Sequence, residues 1–177
     1  MKTGIKHFLT SFLLLMVPIL SIMCVEILVY IPRINEFWNF LRLSPFYIGI
    51  YFWLRIRPDI FTLFSAFILG IIADVLSSSI LGINILSFLI LYLISSYILS
   101  YFNIKKFTYS WLLFLLAMLI TIIFKSTLIS LAYKTIIPLQ LVIYEFLLTF
   151  ALYPIIGRFY HYIEYNYIHL EERYENQ

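Results

Sequence analysis

Asp59 and Asp74 are the two aspartates of the chain, and a carboxylate dyad is the first chemistry they suggest. They stand 15 residues apart in one apolar segment. As a helix that segment separates them by about 22 Å along its axis, too far to share a proton. A Ser-His nucleophile fares no better. His7, His161 and His169 fall at segment ends, out of reach of any serine at membrane depth, whereas base and nucleophile must lie within hydrogen-bond range. No cluster of cysteine and histidine has metal-ligand spacing, and the single cysteine, Cys24, cannot form an internal disulfide. These placements argue against an enzyme, and nothing in the sequence asks for a metal or a cofactor. Four ionisable residues stay inside apolar runs: Glu26, Asp74, Lys125 and Glu145.

The elements that position these residues follow from composition. Of 177 residues 63% are apolar, and only 12 Lys/Arg and 9 Asp/Glu are charged. A soluble chain is about a quarter charged, so this one belongs in lipid, as an all-α polytopic membrane protein. The apolar runs are continuous and do not alternate with a period of two, which excludes a membrane β-barrel. Six spans are expected: 8–30, 41–54, 59–76, 83–102, 109–131 and 138–157. The second is short, or partly re-entrant, at about 21 Å. Pro18 is expected to kink the first. That first run is too long for a signal-peptide core and lacks a small-residue cleavage site, so it reads as a retained helix. Residues 1–157 then form a six-helix transmembrane domain, and 158–177 an amphipathic cytoplasmic tail.

Charge sets the orientation. With both termini inside, the cytoplasmic face collects Lys2, Lys6, Arg55, Arg57, Lys105, Lys106, Arg158 and Arg173, and the outer face only Arg33, Arg42 and Lys134. The net charge of +3 reflects this bias and implies no nucleic acid. Tyr and Trp near span ends, among them Trp53, Tyr97, Tyr101, Trp111 and Tyr153, are expected as interfacial anchors.

Residues 55–82 carry the densest punctuation. Arg57-Pro58-Asp59 reads as a tight cytoplasmic turn, with Pro58 preset for a first helical turn and Asp59 complementing the positive end of the helix dipole. Ala66, Gly70 and Asp74 share one face of the third helix at i, i+4, i+8, and small residues at that spacing let another helix approach closely. Ser77, Ser78, Ser79 and Gly82 read as a polar outer turn. The run Gly70-xxx-Asp74-xx-Ser77-x-Ser79-x-Leu81-Gly82, preceded by Arg57-Pro58-Asp59, resembles the rod-shape-determining membrane protein family MreD. Ser78 departs from the glycine usual there, which costs about 1 kcal/mol if that position needs φ > 0.

The resemblance implies a non-enzymatic scaffold subunit of the bacterial elongation machinery in the inner membrane, coordinating lateral peptidoglycan synthesis. The implied partners are MreC, the RodA polymerase with its class B transpeptidase, and MreB filaments, besides membrane lipid. Arg57, Pro58, Asp59, Gly70, Asp74, Ser77, Ser79 and Gly82 become candidate partner-binding positions. In size and span count the chain is also similar to the substrate-binding subunits of energy-coupling-factor vitamin transporters, the alternative reading, which would use Glu26, Asn84, Lys125 and Glu145 as convergent polar groups.

Charges facing lipid cost on the order of 3 kcal/mol each, so the four buried ones are expected to face inward and pair. Lys125 is the only cation among them, and Asp74 lies nearest to it in depth. An Asp74–Lys125 ion pair is therefore expected, with Glu145 or Glu26 as second partner. In the tail, Phe159, Tyr162, Ile163, Tyr167, Leu170 and Tyr174 recur at roughly helical spacing, as in an interfacial helix fraying into solvent or a contact for a cytoplasmic partner.

Overall fold

The structure, a computed structural model, describes residues 16–28, 44–77, 80–102, 107–135 and 137–175, with side chains as far as residue 166. The described residues form six helices and no strand: α1 (Met16–Leu28), α2 (Pro45–Ile56), α3 (Leu63–Leu76), α4 (Ile83–Tyr101), α5 (Phe107–Tyr133) and α6 (Leu139–Glu175). Three of them, in α4, α5 and residues 139–166 of α6, are long and apolar enough to cross a membrane; α1 and α3 are shorter apolar helices.

The architecture turns on α2. It has only 12 residues, yet every one from Pro45 to Leu54 is buried. A helix that is apolar all round belongs in an interior, because no face of it prefers water. Here the wall is protein: α2 packs against α4, α5 and α6, and α1 closes on it through a hydrogen bond from Trp53 Nε1 to Ser21 Oγ at 2.9 Å. Its aromatic side chains key into their neighbours. Tyr51 meets Phe114 and Tyr153, Tyr47 meets Phe88 edge-on, and Phe52 meets Tyr160. The Tyr51 hydroxyl donates to Ser110 O, and Ser110 Oγ shares a bond with the Tyr153 hydroxyl, so these three buried polar groups are satisfied. Gly49 makes room on this helix: a Cβ there would sit 2.5 Å from Ile22 and 2.9 Å from the Tyr160 hydroxyl.

Burial of α2 corrects one expectation. Trp53 and Tyr153 are fully buried, not interfacial, because Trp53 lies in the central α2 and Tyr153 packs against Tyr51 of that helix. Tyr97, Tyr101 and Tyr109 are exposed, as an anchor must be, and Trp111 is half-buried with its indole donating to Phe150 O.

Contacts fix the relative directions. Trp53 with Ser21 and Gly49 with Ile22 make α1 and α2 antiparallel; Gly70 with Ile85 and Phe61 with Tyr92 do the same for α3 and α4. Lys125 with Glu145 and Phe114 with Tyr153 do it for α5 and α6. Outward faces are apolar. On α3 Phe64, Phe67, Ile71 and Val75 are all exposed, the stripe opposite the one that packs.

The final helix runs unbroken from Leu139 to Glu175, through Pro154 and past residue 157. Its inward line beyond Pro154 is Ile156, Tyr160 and Glu164, while Phe159 and Tyr162 point outward, so the stripe expected from the tail sequence is turned by about one residue. Glu164 Oε2 lies 2.9 Å from His161 Nδ1, one turn earlier.

Candidate functional site

The densely punctuated segment folds into a clasp between α3 and α4. Ala66, Gly70 and Asp74 all lie on the buried face of α3, which packs on α4. Gly70 is the point of closest approach: a Cβ added to it would lie 2.6 Å from Ile85 Cα, a distance that real Cβ atoms do not tolerate. Gly70→Ala should therefore push the helices apart and cost about 1–3 kcal/mol, the usual penalty for overpacking. Thermal unfolding of the purified variant measures it; a melting point equal to that of the parent would show that α4 simply shifts.

One turn above Gly70, Asp74 is 1% exposed. Its Oδ2 accepts from Gly82 N at 2.7 Å and its Oδ1 from Asn84 N at 2.9 Å. These N–H groups belong to the start of α4, where the first four amides have no partner inside the helix and the dipole is positive. Asp74 thus caps the following helix from the end of the preceding one. Gly82, at φ 108°, is in the left-handed region that only glycine adopts without strain, and this turns the chain so that its own N–H faces back to Asp74. Ser77 completes the clasp: it accepts from Asn84 Nδ2 at 3.0 Å and donates to Ala73 O at 2.6 Å. Asn84 belongs with the motif residues, although its signal in the sequence is only its place two residues after the turn glycine. Ser78 and Ser79 lie outside the described residues; among the described residues of this turn Gly82 has a positive φ.

The Arg57-Pro58-Asp59 group stays a turn and does not open α3. The chain folds at residues 58–61, with the N–H groups of Ile60 and Phe61 donating to Arg57 O, and α3 begins at Leu63 after Thr62. Asp59 is mostly exposed and meets Arg57 Nε at 3.5 Å, so it serves the turn and not the dipole of α3. The reason is local: Pro fits the second position of a turn as readily as the first position of a helix.

The four charges within the helices, Glu26 and Asp74 buried and Lys125 and Glu145 partly so, do not gather into one cluster. Lys125 Nζ pairs with Glu145 Oε1 at 3.2 Å, joining α5 to α6, and sits 5.4 Å from the centre of the Tyr47 ring on α2. The expected Asp74–Lys125 pair does not form. Asp74 faces α4, the helix on which α3 packs, and backbone N–H groups compensate its charge there. Glu26, 6% exposed, lies on α1. Tyr47 was not among the candidates, since an aromatic in an aromatic run gives no sign that it faces a cation. Among the described residues no group of three or more His, Cys, Asp or Glu is placed to hold a metal ion.

A polar clasp at the head of a helical hairpin is the geometry that the motif builds. The sequence model of the rod shape-determining protein MreD matches residues 6–163. The chain belongs to the MreD family. Comparison with curated proteins and with solved structures gave no match. The MreD match runs through α1 to α5 and into α6, ending just beyond Tyr160, so it takes in the clasp, the Arg57 turn and the Lys125–Glu145 pair. MreD membership places the chain in a membrane-associated family concerned with rod shape, to which the long apolar helices conform.

Proposed function

We propose that the chain is a non-enzymatic scaffold subunit of the elongation machinery, a multi-pass protein of the bacterial inner membrane that coordinates lateral peptidoglycan synthesis. It crosses six times with both termini cytoplasmic. The antiparallel pairings of α1 with α2, α3 with α4 and α5 with α6 support an alternating course, and the excess of Lys and Arg on the side of the termini supports its sense. MreC, RodA with its class B transpeptidase, and MreB filaments are the partners this reading assigns.

One observation carries the scaffold reading. The polar side chains of the motif, Asp74, Ser77 and the Arg57–Asp59 pair, bind the two hairpin turns, and the outward faces of the helices are apolar. Such a protein acts by presenting shaped, rigid surfaces to other membrane proteins. Depletion should make rod-shaped cells round up or swell while every enzymatic activity of their membranes persists. Cells that keep their shape and come to need a particular vitamin would instead identify a transporter subunit.

A further inference from the structure

Near the C-terminal ends of α2 and α4 the structure has a cavity of about 670 Å³ that is open on one side. Its wall includes Leu54, Arg55, Pro58, Ser96, Ser100 and Tyr101. Among the described lining residues Arg55 is the charged group, and none is a carboxylate. The Arg55 guanidinium carries five N–H donors to offer a ligand. The opposite polarity is present too. Pro58 stands four residues after Leu54 and has no N–H to give to the Leu54 carbonyl, which removes the bond that would otherwise continue the helix. Ser96 and Ser100, one turn apart on α4, add hydroxyls. The cavity therefore offers a cation to a phosphate, and a carbonyl and hydroxyls to a group that donates hydrogen bonds, beside the apolar side chains of Leu99 and Phe102.

We propose that this cavity binds the head group of a phospholipid whose phosphate meets Arg55 and whose ammonium or hydroxyl group donates to the Leu54 carbonyl. In the orientation proposed above, on which this rests, the cavity opens at the level of the cytoplasmic head groups, where basic pockets between helices recognise lipid. Bound there, the lipid ties the end of the central helix to α4.

The full-length chain, purified in neutral detergent, is titrated with phosphatidylglycerol, phosphatidylethanolamine, phosphatidylcholine or inorganic phosphate while its thermal unfolding is followed. This reads binding directly and does not depend on orientation or on cell shape, so failure of the scaffold reading would leave it intact. Phosphatidylglycerol and phosphatidylethanolamine should raise the melting point saturably. Phosphatidylcholine, whose quaternary ammonium has no N–H, should need about tenfold more for the same shift, the loss of a charge-assisted hydrogen bond. Arg55→Gln should raise the half-saturating concentration by about tenfold or more. Ser96→Phe, at an exposed position, fills the cavity without touching the charge and should abolish the shift, which decides the matter if Arg55→Gln does not fold. Unchanged titration of the Ser96→Phe variant, equal action of phosphatidylcholine, or a full shift by inorganic phosphate alone would each overturn the proposal.

Discussion

Asp74→Ala should remove most of the folded protein from membranes. The substitution takes away the acceptors of two N–H groups, Gly82 N and Asn84 N, at a site that is 1% exposed. Water cannot replace them there. Hydrogen bonds to a charged group are each worth about 1.5–3 kcal/mol, so the loss of two is about 3–6 kcal/mol. That is a large share of the roughly 5–15 kcal/mol that holds a domain together. Asp74→Asn keeps the shape and one oxygen, but turns an NH₂ group toward an N–H, and should recover less than half. Ser77→Ala should cost less than either, about 1 kcal/mol, because it removes a neutral bond to Asn84 at the rim of the clasp. The monodisperse fraction after gentle solubilisation and its melting point give the ranking directly. An Asp74→Ala variant that melts with the parent would dismiss the cap, and one that folds normally yet lets cells round up would make Asp74 a contact for a partner.

The clasp also shows what a single sequence exposes and what it hides. The limits of α4 were expected at 83–102 and those of α5 at 109–131; they fall at 83–101 and 107–133, because Gly82 and the flanking polar residues punctuate continuous apolar runs. Gly70 was legible for a similar reason, since small residues four apart on a membrane helix announce a close approach. Asp74 was misassigned because a buried acid has two ways to be compensated, by a cation or by backbone N–H groups. The second depends on a turn bringing residues 82 and 84 back over residue 74, and residue types alone do not carry that geometry. The burial of α2 was hidden too. Apolar residues facing lipid and apolar residues facing protein look alike, so Trp53 was placed at an interface when it lies in the core. The brevity of α2 was the available sign: a 12-residue helix spans about 18 Å, and a segment too short to cross alone is at home among longer ones.

The pair that does form yields the second large effect. Lys125 and Glu145 are 18% and 13% exposed in their side chains and meet at 3.2 Å. Lys125→Met would leave the Glu145 carboxylate without its cation, and Glu145→Met would leave the ammonium of Lys125 beside the Tyr47 ring as its remaining partner. Breaking a buried ion pair from one side costs about 3–5 kcal/mol, whereas replacing both members with apolar residues of similar volume is often neutral. Each single variant should therefore melt far below the parent, and the double variant Lys125→Met with Glu145→Met should regain most of the loss. Lys125→Met should lose the more of the two, because the ring gives Glu145→Met a residual attraction for the ammonium that the carboxylate lacks. Combined with Asp74→Ala, Lys125→Met should behave independently, with coupling under about 0.5 kcal/mol, since the two sites share no partner. Additive losses at 125 and 145, or strong coupling between 74 and 125, would return the cation to Asp74 and undo the division of the buried charges into separate helix contacts.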